Sequence, residues 1–94
     1  MALVRRLVLD VLKPHNPSII ELSQLIADLE GIDGVDITLC EIDRKVESVK
    51  ITIEGSDIVI DDVEKIILDN GGTIHSLDKV SAGRKLVEEA KTKV

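Results

Sequence analysis

The chain has 94 residues, 12 of them Lys or Arg against 18 Asp or Glu, giving a formal charge of −6, with one cysteine and no Phe, Tyr or Trp. That length leaves room for one domain with one core, built from 13 Ile, 11 Val and 11 Leu, an aliphatic content that excludes a disordered chain. Acidic charge opposes a phosphate backbone and no ring is present to stack on a base, so nucleic acid is excluded as the expected partner.

The first residues, Met1 to Arg6, precede an apolar run of only about six residues broken by Asp10, too short for a signal peptide or a membrane span. A cytoplasmic protein with no membrane partner is expected. Cys40 stands alone, so no intrachain disulfide forms, and it reads as a small packed hydrophobe. Side-chain amides are confined to Gln24, Asn16 and Asn70 while 32% of residues are charged, a balance that points to a hot environment.

Leu3 to Lys13 alternates, with Leu7, Leu9 and Val11 on one face and Val4, Arg6, Val8, Asp10 and Leu12 on the other, which predicts a strand. Pro14-His15-Asn16-Pro17 stops it, and Ser18 to Glu21 has capping-box spacing. A helix follows, with Leu22, Leu25, Ile26 and Leu29 on its apolar face and Gly31 closing it. Val35 to Val46 reads as a second strand. Its apolar phase slips between Leu39 and Ile42, which places a one-residue bulge near Cys40 and Glu41. Val49, Ile51 and Ile53 then alternate with Lys50, Thr52 and Glu54 in a third strand returning as a hairpin, ended by Gly55-Ser56. Between Asp57 and Gly72 lies a second helix carrying Val63, Ile66 and Ile67, capped either by Asp57 or by a box at Asp61 to Glu64. Thr73 to Ala82 is the fourth strand, and residues 84–94 read as a short amphipathic helix or a frayed end.

This β-α-β-β-α-β order is the α+β ferredoxin-like arrangement, a four-stranded antiparallel sheet with both helices on one face. The first and third strands are central in that fold, so Val4, Val8 and Leu12, beside Arg6, fall in the middle of the uncovered face. Three aliphatics there predict self-association. The run Gly71-Gly72-Thr73-Ile74-His75-Ser76-Leu77-Asp78-Lys79-Val80, together with Leu7 to Pro14, resembles a family of small uncharacterised archaeal proteins classed as a domain of unknown function. The resemblance covers nearly the whole chain. It implies a ferredoxin-like fold, a cytoplasmic archaeal protein and symmetric oligomers in the form of rings, and it supplies no catalytic residue.

Three chemistries remain for this surface. The leading expectation is a non-enzymatic homo-oligomer, with a small ligand or divalent cation at its interfaces. A regulatory domain that senses small molecules of the amino-acid type is the alternative, using His15, Asn16 and the free amides at the start of the first helix. A metal-dependent enzyme comes third. A Ca²⁺ or Mg²⁺ site draws on Asp10 with His75 or Asp78, if strand pairing brings them together, or on the acidic rim at Glu41 and Asp43, beyond the turn carrying Glu30, Asp33 and Asp36. Glu41 and Asp43 also have the spacing of a paired acid and base, but no nucleophilic motif or phosphate loop accompanies them.

Overall fold

A computed structural model describes residues 1–88 of the chain. The elements follow as β1 (Val4–Pro14), α1 (Ile19–Ala27), β2 (Ile32–Ile42), β3 (Val46–Gly55), α2 (Ile60–Asp69) and β4 (Thr73–Ala82). All strand pairs are antiparallel in the order β2-β3-β1-β4, the ferredoxin-like arrangement with β1 and β3 at the centre. Each βαβ crossover spans one intervening strand, and side chains from both helices join a single core, so both helices lie on the same face.

That core forms from the alternation of the two central strands. Leu7, Leu9 and Val11 of β1 sit opposite Ile53, Ile51 and Val49 of β3, all at most 2% exposed, and Leu22, Ile26, Ile58, Val63 and Ile67 pack over them. Truncating any one of these to alanine removes about 2–5 kcal/mol.

Ser18 caps α1, its hydroxyl accepting from the Glu21 amide at 3.2 Å. Gly31, at φ +87°, turns the chain into β2, and a side chain there would fall on the Asp57 carbonyl. The second helix starts between the two expected caps, after Asp57 and before Asp61. The Asp57 and Ile58 amides donate to Gly31 and Val4 carbonyls, so these residues tie the loop to other elements and the first helical turn begins after Val59, with no side-chain cap. The β2–β3 hairpin also turns earlier than expected. Asp43 accepts from the Lys45 and Val46 amides at 3.0 and 3.2 Å, which ends β2 at Ile42 and gives Val46 to β3.

Register slips between Leu39 and Glu41 leave Cys40 as the extra residue, where the apolar phase change places it. Cys40 is exposed rather than packed, as an extra residue on an edge strand. Three further slips occur between β1 and β4, leaving Arg5, His75 and Asp78 unpaired. Of the C-terminal segment, residues 83–88 form no helix, and the remainder lies outside the described residues. No described helix is long and apolar enough to cross a membrane.

Candidate functional site

The face of the sheet away from the helices is built by the alternate residues of β1 and β3. Because Leu7, Leu9 and Val11 point into the core, Arg6, Val8, Asp10 and Leu12 point out, and across from them stand Glu54, Thr52, Lys50 and Ser48. Val8 is central and only 8% exposed, screened by the longer side chains around it, with Thr52 on one side and Lys79 of β4 on the other. Leu12, at the end of the row beside Thr73, is 38% exposed. Val4 departs from its expected face. The extra residue at Arg5 breaks the alternation, and Val4 packs against the core.

Charge on this face is ordered about Val8. Two residues to one side, the Arg6 guanidinium bonds Glu88 at 3.3 Å and Glu54 at 3.1 Å, which in that order raise its pKa. Two residues to the other side, Asp10 stands in register with Lys50 and accepts from the Ser48 hydroxyl at 3.5 Å. Each central strand therefore carries opposite charges at equal distances from the middle, about 6.8 Å along the strand.

Of the residues expected at cation sites, Asp10, His75 and Asp78 lie at neighbouring register positions of β1 and β4, and Glu41 and Asp43 at and just beyond the end of β2. Asp10 pairs with Ser76, while His75 and Asp78 are bulge residues on exposed β4, and Asp78 accepts from the Ser76 hydroxyl at 2.7 Å. Glu41 lies on the edge strand opposite Ser48. Asp43 spends one carboxylate oxygen on the hairpin turn, and the Lys45 and Val46 amides hold it below the usual carboxylate range. Among the described residues, no three His, Cys, Asp or Glu side chains converge as metal ligands would.

His15 is committed to the hairpin rather than to the start of α1. Its Nδ1 lies 3.0 Å from Glu47 and its Nε2 3.0 Å from the Arg44 carbonyl. Two acceptors on one ring favour the doubly protonated form, so Glu47 and then the Arg44 carbonyl raise the His15 pKa. Asn16 lies in the same loop, joined to Pro17 by a cis peptide bond. Beneath the loop, the Lys13 ammonium donates to Glu47 at 2.9 Å and to the Pro14 carbonyl at 2.7 Å, with only 1% of its side chain exposed. Sequence reading passed over Lys13 and Glu47. Their signal is positional, since each continues an inward row, Lys13 after Leu7, Leu9 and Val11, and Glu47 before Val49, Ile51 and Ile53.

Comparison with known proteins adds a family. Residues 5–94 match the family model DUF211, described as uncharacterized ArCR. An uncharacterized protein of Methanocaldococcus jannaschii is 51% identical over 89 residues, which span 95% of this chain and 92% of that protein.

Proposed function

The chain belongs to the DUF211 family of small uncharacterized archaeal proteins, and from that premise we propose that it works as a non-enzymatic homo-oligomer whose copies meet through the outer sheet face. The observation that carries this reading is the charge order about Val8. A two-fold axis in the plane of the contact, running across the strands, lays β1 antiparallel over β1 of a second copy. Val8 then faces Val8, Arg6 faces Asp10, and Glu54 faces Lys50, so a single face satisfies itself.

Area is consistent with such a contact. Four strands of 10 or 11 residues offer about 600 Å² per copy, a total near the lower bound of about 1,200 Å² for a stable specific interface. Opposed sheets cross at about 30°, which keeps the central residues in contact while the sheet ends diverge.

Val8→Asp and Asp10→Lys test the reading by analytical ultracentrifugation. Each variant is expected to sediment at a lower mass than the parent while its circular dichroism remains that of the folded chain. An unchanged mass for both folded variants would contradict the proposed face.

A further inference from the structure

Away from the outer face, at the end of the sheet where β1 begins and β4 ends, lies a cleft of about 600 Å³ lined by Ala2, Leu3, Arg5, Ser56, Gly83 and Arg84 together with Met1. We propose that this cleft binds a small organic carboxylate bearing a short apolar tail. The inference goes beyond self-association and does not depend on it.

Arg5 organises the cleft. It is the extra residue of the β1–β4 bulge, and backbone carbonyls fix its guanidinium: Nε donates to the Gly55 carbonyl at 2.7 Å, and Nη1 to the carbonyls of Gly83 and Arg84 at 3.4 and 3.2 Å. Gly83 makes this geometry available, because φ +109° turns the chain at the end of β4 and presents two successive carbonyls to one nitrogen. The Nη2 group, with two N–H donors, has no partner among the described residues, and no carboxylate pairs with Arg5 there. The Ser56 hydroxyl is likewise without a partner among them.

Charge and surface select the ligand. Among the described residues no acidic side chain lines the cleft, although the chain carries a net charge of −6, and two arginines do. A guanidinium held rigid before the ligand arrives loses little freedom on binding, and its charge-assisted hydrogen bonds to an anion are the stronger kind. Ala2 and Leu3 supply an apolar wall. That wall suits an alkyl chain and gives nothing to the hydrated oxygens of inorganic phosphate, while the arginines repel an ammonium group. The cleft volume falls within the range of about 300–1,000 Å³ usual for small-molecule sites.

The test is a ¹H–¹⁵N NMR titration of untagged protein with hexanoate, inorganic phosphate and hexylamine. Hexanoate is expected to give saturable shifts at Ser56, Gly83 and Arg84, with phosphate at least about tenfold weaker and hexylamine causing none at these amides. Arg84→Glu is expected to weaken hexanoate by about tenfold or more, and Ser56→Ala by less, both without change in melting temperature, whereas Arg5 is left intact because its carbonyl contacts also hold β1 to β4. No saturable shift below ~10 mM hexanoate, shifts centred elsewhere, equal binding of phosphate, or unchanged affinity in Arg84→Glu would each overturn the assignment.

Discussion

At the scale of single residues, the hairpin end is governed by the chain Lys13–Glu47–His15. His15 has a folded pKa raised above its ordinary value of 6.5, so its contribution to stability is complete below that value and lost as pH rises through the folded one. For Glu47 the sign reverses. His15 first and Lys13 second lower its pKa, so its contribution is present above the ordinary 4.5 and lost as pH falls through the folded value. NMR titration should therefore find the His15 ring titrating above 6.5, and His15→Gln should flatten the decline in melting temperature between pH 6 and 9 (about the span of a histidine titration). An unshifted ring would contradict the bonded geometry. Removing Glu47 leaves an ammonium whose side chain is 1% exposed with a neutral carbonyl, that of Pro14, and no counter-charge, whereas removing Lys13 leaves a carboxylate still paired with His15. Glu47→Gln should thus lower the melting temperature more than Lys13→Met, and the reverse order would exclude Glu47 as the main partner of Lys13. Both residues were visible as charges in apolar rows. Pairing them required the β1–β3 register, which alternation in either strand alone does not supply.

At the scale of elements, local chemistry accounts for α1 and tertiary contact for α2. Ser18 caps α1 as its spacing predicts, and Ser18→Ala should cost about 1 kcal/mol. In α2 Asp57 is passed over because its amide and that of Ile58 are already bonded to Gly31 and Val4, and Asp61 falls inside the first turn rather than before it. No sequence motif marks such long-range bonds, which is why the start of α2 was misread while its apolar face, Val63, Ile66 and Ile67, was legible. The uncapped start offers a gain: Val59→Ser should stabilise the protein by about 0.5–1 kcal/mol, seen in chemical denaturation as a higher midpoint with unchanged slope. Gly31→Ala should do the opposite, by about 2–3 kcal/mol, since its positive φ disfavours a side chain and the Asp57 carbonyl occupies the space. A neutral Gly31→Ala would contradict the contact between the two loops.

At the scale of the whole molecule, a sheet with both helices on one side leaves its other side to water or to a partner. The strand order, and with it the central place of Val8, followed from the element order alone. The composition of the outer face did not, because the bulge at Arg5 turns Val4 against the core and longer side chains screen Val8. What remains there is less an apolar patch than an ordered set of charges about a small aliphatic centre, and on the proposed reading that order selects a copy of itself over an arbitrary apolar surface. A face that pairs through a two-fold axis makes the number of copies even, so a ring assembled from such pairs would be double. Native mass spectrometry of the untagged protein tests this most directly. The account predicts a single assembly with an even number of chains, converted to smaller species by Val8→Asp. A parent protein that is monomeric at micromolar concentration, or assembled in an odd number, would contradict it.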